Sequence, residues 1–113
     1  MSYFFSDQEN LQYQNEGYLV RENQFSSREI NKFRKAFEIT VSKALEISSS
    51  GKEYFLDKKR FVDIDYLTLQ YEPEPNDSFL KVIEPAHALN SDLDNIISDQ
   101  RLTDPIKSIL SIN

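Results

Sequence analysis

The stretch from Phe25 to Gly51 limits the fold of this chain more than any other part. Ser26 followed by Glu29 has the S-x-x-E spacing of a capping box, in which serine hydroxyl and glutamate carboxylate each accept an orphan N–H at a helix start. Phe25 and Ile30 occupy the flanking positions of a hydrophobic staple. Ile30, Phe33, Phe37, Val41, Ala44, Leu45 and Ser48 then recur at helical spacing, with Glu38, Lys43 and Glu46 off that line. This predicts one long amphipathic helix whose apolar stripe is core. Three serines and Gly51 end it, glycine accepting a left-handed cap.

A helix of that length needs a surface to cover it. With 113 residues, the chain supplies one core, as a single domain or part of one. Hydrophobic residues at 39%, with eight Phe and six Tyr, give enough large groups to bury. A net charge of −6 argues against binding nucleic acid, whose affinity comes from clustered Lys and Arg. The absence of cysteine removes disulfides, thiolate metal sites and Cys nucleophiles together. No stretch approaches the roughly 18 apolar residues of a membrane span, and the N-terminus lacks a signal pattern. The default expectation is a soluble, acidic, cytoplasmic protein without a membrane partner.

Upstream, Ser6 and Glu9 form a second capping box, opening a short helix from Asp7 to Glu16 that Gly17 ends. Tyr18 to Val20 reads as a short strand. Downstream, Lys52 to Arg60 reads as a solvated loop holding the only basic cluster, Lys58, Lys59 and Arg60, an alternative use being contact with an anion. Leu67, Leu69 and Tyr71 alternate with Tyr66, Thr68 and Gln70, as in a half-buried strand. The turn-rich EPEPNDS separates it from Phe79 to Ile83, so an antiparallel pair is expected. Ser91 and Asp94 open a short helix carrying Leu93, Ile96 and Ile97, and a last helix begins near Asp104 with Pro105 at its first position. No internal repeat is apparent. The expected fold is therefore α+β, with about four helices, one long and amphipathic, and a small antiparallel strand pair. Residues 1–113 are expected to form a single, partial domain: a helical N-terminal half, 1–51, then the strand pair and short helices, 61–113.

Few residues offer chemistry. Asp63 and Asp65 would place two carboxylates on one strand face, but a calcium loop needs more oxygen ligands and a glycine. Glu72, Glu74 and Asp77 suit turn polarity better than a carboxylate dyad. His87 is the only histidine, so neither a metal cluster nor an oriented general base is visible around it. Both glycines are used as helix stops, which excludes dinucleotide fingerprints and phosphate loops. No catalytic, cofactor-binding or metal residue is assigned.

The order of short motifs resembles a known family. NEGYLV (Asn15 to Val20) follows a short helix, and FSSRE (Phe25 to Glu29) opens a long one. Gln70 to Pro73 ends a strand, Lys81 to His87 carries a lysine, proline and histidine, and Asp99 to Leu102 leads into a helix. Over Asp7 to Leu110 this series resembles the N-terminal portion of the phytanoyl-CoA dioxygenase family, which comprises iron(II)- and 2-oxoglutarate-dependent oxygenases. The resemblance implies the outer layer of a double-stranded β-helix oxygenase without its core, in an enzyme that hydroxylates an aliphatic substrate. Iron(II) and 2-oxoglutarate are implied for a complete member. That family holds iron by two histidines and a carboxylate, beginning with an H-x-D pair, and His87 is followed by Ala88 and Leu89. Catalytic competence of this truncated domain alone is not expected, nor a cofactor bound by it. The Ile30 to Leu45 stripe would meet the missing C-terminal oxygenase core or another protein. The alternative is a free-standing acidic α+β interaction domain without enzymatic activity.

Overall fold

The computed structural model describes residues 1–111. Their architecture is α+β: helices α1 (Asp7–Glu16) and α2 (Ser27–Ser48), strands β1 (Lys52–Leu56), β2 (Lys59–Ile64), β3 (Leu67–Tyr71) and β4 (Leu80–Glu84), then α3 (Ser91–Ile97) and α4 (Gln100–Leu110). A 3-10 turn, Ala86–Leu89, joins β4 to α3. The strands form one antiparallel sheet in sequential order β1-β2-β3-β4.

The sheet has twice the expected number of strands, because the segment read as a basic loop is a hairpin. Asp57 and Lys58 take left-handed backbone angles, φ 49° and 64°, as a two-residue hairpin turn requires. Leu56 then pairs with Lys59 and Tyr54 with Phe61. The turn carries no glycine, which hides its signal in the sequence. By contrast Tyr18 to Val20 forms no strand; it is a connection in which Tyr18 and Val20 are exposed.

β3 behaves as its alternation predicts, with Leu67, Leu69 and Tyr71 buried. Leu69 lies opposite Val62 on one side and Ile83 on the other. Val62, Leu69 and Tyr71 form the core with Ala44 of α2, joined by Ile64, Leu80, Ile83 and Leu89.

Only the small members of the expected stripe meet the sheet: Ala44 packs on Val62, Leu69 and Tyr71, and Ser48 bonds to Tyr71. The buried residues of α2 are Ala36, Thr40 and Ala44, four apart, while Phe37, Val41 and Leu45 are 55%, 39% and 45% exposed. Small side chains let the helix axis approach the sheet closely, and the large ones are displaced to its flank. Thr40 stays satisfied there by donating its hydroxyl to the Ala36 carbonyl at 2.7 Å. Ser48 and Tyr71 join hydroxyl to hydroxyl at 2.6 Å, fixing the helix end on β3.

The helix stops differ from expectation too. Gly17 has the left-handed φ of 80° predicted for it, but α2 ends through Ser49 in ordinary helical geometry. Gly51 serves a different need: a Cβ there would run into Val62, Ile64 and the Asp63 carbonyl. At the C-terminal end, Asn90 rather than Ser91 caps α3, its side chain accepting from the Asp92 and Leu93 N–H groups. Asp99 caps α4, which therefore starts at Gln100 and carries Pro105 inside it. A well-formed cap on Asp99 fixes the start, and proline is accommodated a turn later.

The molecule is extended, 50 × 32 × 26 Å, with a radius of gyration of 18.0 Å. A compact chain of this length would have a radius of about 13 Å. Its accessible surface is 8394 Å², whereas a compact monomer of this mass exposes about 6,500 Å². No helix among the described residues is long and apolar enough to cross a membrane.

Candidate functional site: two arginine clamps around an apolar cavity

The most organised side-chain constellation lies at the end of the molecule formed by the N-terminal arm, α1, the 17–26 connection and α4. It begins with the two capping boxes. Ser6 and Ser26 each accept from the N–H three residues on, at 3.2 Å, and Glu9 and Glu29 accept from the serine N–H groups at 3.1 and 2.7 Å. Each glutamate is in turn gripped by an arginine from elsewhere in the chain. Arg21 donates to both carboxylate oxygens of Glu9, at 2.7 and 2.9 Å, and Arg101 pairs with Glu29 at 2.7 Å.

The parallel extends to the aromatic residues. The Arg21 guanidinium lies over Phe5, 5.3 Å from the ring centre, and Arg101 over Phe25 at 4.3 Å. Phe5 packs on Tyr13, and Phe25 meets Phe33 edge-on, each partner eight residues further along. Thus FSDQENLQY and FSSREINKF build the same local structure twice, although only Phe, Ser and Glu coincide. Phe25 and Ile30, the expected staple pair, share the wall of one cavity, and Phe25 meets Phe33 besides.

Both guanidinium groups are heavily engaged. Arg21 also donates to the Tyr3 and Phe4 carbonyls, at 2.8 and 3.2 Å, and Arg101 to the Gln24 carbonyl at 3.2 Å and both oxygens of Asp99 at 2.9 and 2.7 Å. Arg21 thus makes four hydrogen bonds, and Arg101 three beside its ion pair with Glu29. Hydrogen bonding to Arg21 first, and to Ser6 besides, holds the Glu9 carboxyl at about 2 against an ordinary 4.5. Arg101 holds Asp99 at about 2 in the same way, and the Ser26 N–H followed by Arg101 lowers Glu29. Charge-assisted, two-pronged pairs of this kind are the stronger class of hydrogen bond.

The N-terminal arm is tied down by two buried polar side chains of α4. The Tyr3 N–H donates to Asp104 Oδ2 at 3.0 Å and the Phe5 N–H to Ser108 Oγ at 2.9 Å. Between arm, connection and α4 lies a cavity of about 510 Å³, with Phe5, Leu19, Arg21, Phe25, Arg101 and Ile109 among its walls. Sequence reasoning missed Arg21, Arg101, Asp104 and Ser108, since nothing local assigns an arginine to a carboxylate many residues away. The repeated F-S-x-x-E was the available signal.

The residues singled out from the sequence are scattered. Asp63 and Asp65 do not share a strand face: Asp65 has a left-handed φ of 51° in the β2–β3 turn, which breaks the alternation. Asp63 Oδ1 accepts from the Tyr54 and Thr68 hydroxyls, both at 3.0 Å. Burial, then Asp63, raises the Tyr54 phenol. Lys58 sits in a turn, while Arg60 donates to the Asp77 carbonyl at 2.9 Å and lies 3.6 Å over the Tyr71 ring, so the basic run is not gathered for an anion. The 72–79 segment closes through Glu72, Asn76 and Phe79 N–H bonds, with its carboxylates on a turn. His87 is half-buried beside a polar groove that Ser91 and Asp94 also line, yet among the described residues no hydrogen bond joins the three. Nor does any group of three His, Asp or Glu side chains among the described residues stand close enough to hold a metal ion. No protein-family model, no curated protein and no solved structure matches this chain.

Proposed function

We propose that this chain forms the N-terminal layer of an iron(II)- and 2-oxoglutarate-dependent oxygenase of the phytanoyl-CoA dioxygenase type, acting on an aliphatic substrate. The observation that carries the reading is surface left uncovered. The excess of accessible area over a compact monomer is about 1,900 Å², more than the roughly 800 Å² per partner of a standard interface. Phe37, Val41 and Leu45 of α2 are exposed, and a groove of about 350 Å³ runs between Phe37, Val41 and the β4 residues Leu80 and Val82. β4 is also an edge strand, with main-chain groups free to pair with a further strand. An oxygenase core would cover this flank, and the order of motifs from Asn15 to Leu102 is the reason for naming that core.

The residues described do not themselves fit iron or 2-oxoglutarate. With one histidine and no three-ligand group among the described residues, no catalytic step is assigned to this chain. Its part is structural: to present α2 and β4 to the body that carries the chemistry. Reading the coding DNA past the codon for Asn113 tests the proposal. An H-x-D pair and a later histidine are expected, and finding neither removes the oxygenase reading.

A second reading, a free-standing acidic interaction domain, is favoured by the closed capping boxes and the continuous core around Leu69. It requires the 113-residue chain to unfold in one cooperative transition as a monomer. A non-cooperative melt, or self-association through the α2 flank, removes it.

A further inference from the structure

Four hydrogen bonds tie residues 3–5 to the rest of the described chain, and all four use main-chain groups of the arm. Two of them are accepted by α4. Asp104 and Ser108 stand four residues apart on that helix, a rise of about 6 Å, and two residues of an extended chain advance about 6.6 Å. The two repeats match, so the Tyr3 N–H meets Asp104 Oδ2 at 3.0 Å and the Phe5 N–H meets Ser108 Oγ at 2.9 Å. Side chains of a helix here do what carbonyls do along a strand edge. Arg21 supplies the complementary donors, reaching the Tyr3 and Phe4 carbonyls at 2.8 and 3.2 Å.

The acceptors are built in advance. Asp104 and Ser108 are only 4% and 7% exposed, and the Ser108 hydroxyl donates to the Asp104 carbonyl at 3.1 Å, which leaves its oxygen to accept. Buried polar groups of this kind cost stability unless a donor reaches them, so α4 is fitted to receive N–H groups. Contacts to the main chain accept any extended segment, and sequence enters only where side chains find room. Phe5 packs on Tyr13 beneath Arg21 and Tyr3 is half-buried, while Phe4 between them is 51% exposed. The pattern selected is an aromatic residue at each of two alternate positions, with the one between left open. The helix that follows the arm, α1, buries no residue, so no core holds the segment in place against local opening.

We propose that Arg21, Asp104 and Ser108 form a docking track for an extended peptide segment of another protein with aromatic side chains two residues apart, and that residues 3–5 occupy this track as a displaceable plug. The proposal stands apart from the oxygenase reading, which concerns the flank of α2 and β4. Tyr3→Pro combined with Phe5→Pro in the full chain removes both N–H donors and leaves the track untouched, so the arm should come away. The probe is the acetylated, amidated pentapeptide Ser-Tyr-Phe-Phe-Ser, followed by amide chemical shifts of the protein. Saturable binding is expected with Kd on the order of 1 mM, with shifts centred on Arg21, Asp104 and Ser108. The unsubstituted chain should bind the peptide at least about tenfold more weakly, because only molecules with the arm released are open to it.

Ser-Tyr-Ala-Phe-Ser should bind as well as the parent peptide. Ser-Ala-Phe-Ala-Ser should not bind, nor should the parent peptide N-methylated at its tyrosine and second phenylalanine. Equal binding by the N-methylated peptide would reveal aromatic adhesion without main-chain recognition and overturn the track. Absence of saturable binding to a doubly substituted chain whose Leu69 amide shift is unchanged would make the arm a fixed part of the fold, and overturn it equally. A second measurement needs no substitution: in the unsubstituted chain the Tyr3 and Phe5 amides should exchange with solvent at least about a hundredfold faster than the Leu69 amide, by local opening. Exchange of all three at one rate, through global unfolding, would show that the plug cannot be displaced.

Discussion

The two ends of this molecule are held together by different physics. At the sheet end, α2 lies on β2 and β3 through Ala44, Val62, Leu69 and Tyr71, an apolar contact with hydrogen bonds only at its margin. At the arm end, α1 buries no residue at all, and apart from the Phe5–Tyr13 contact its attachment is polar: Arg21 on Glu9, and Asp104 and Ser108 on the arm's N–H groups. Apolar burial is non-directional and does not titrate, whereas paired charges are screened by salt and lost on protonation. The sheet end should therefore set the stability of the whole, and the arm end should respond to conditions by itself.

The largest effect expected is at the sheet end. Leu69 is fully buried between Val62 and Ile83, so Leu69→Ala leaves a cavity in the core. A loss of about 3 kcal/mol in urea-induced unfolding is expected, read by circular dichroism. A loss under about 1 kcal/mol would mean that the sheet is not the cooperative core.

The two capping boxes offer an internal comparison of intermediate size. Ser26→Ala and Ser6→Ala remove chemically identical caps, each worth about 1 kcal/mol. On α2 the loss should appear in the global unfolding midpoint, since that helix carries the core. On α1 it should appear only as faster amide exchange between Asp7 and Glu16, with the midpoint unchanged. Equal midpoint shifts for both would show the arm end to be part of the same cooperative unit.

The smallest effect concerns acid. Glu9 and Asp99 have folded values near 2, below their ordinary 4.5 and 3.8. A depressed carboxyl contributes stability that is fully present above the unfolded value and is lost as pH falls through the folded one. The arm end should therefore loosen between about pH 4 and pH 2 while the sheet end persists. Carboxyl carbon shifts should titrate near 2 for Glu9 and Asp99, and Arg21→Met should return Glu9 toward 4.5. A normal Glu9 titration in the unsubstituted chain would contradict the Arg21 clamp.

Much of the local structure is legible in the residues alone. The starts of α1 and α2, the left-handed Gly17 and the alternation of Leu67, Leu69 and Tyr71 follow from hydrogen bonding and periodicity within a few residues. What was hidden was decided at longer range. The β1–β2 hairpin turns on Asp57 and Lys58, residues that take left-handed angles only because the flanking strands pair. Pro105 looked like a helix start, and Asp99 superseded it.

The pattern Phe25 to Gly51 fixed by itself that a long amphipathic helix would form, where it would begin and roughly where it would stop. The tertiary structure decided which side of that helix faces the sheet. Periodicity counts apolar residues around a helix, but close packing is governed by size, so Ala36 and Thr40, outside the expected stripe, went inward with Ala44, and Phe37, Val41 and Leu45 were left on the flank. Likewise the serines and glutamates of both caps were written locally, while their arginines were brought from Arg21 and Arg101 by the fold. A carboxylate at a helix start specifies the charge it attracts, and only the path of the chain in space determines which residue supplies it.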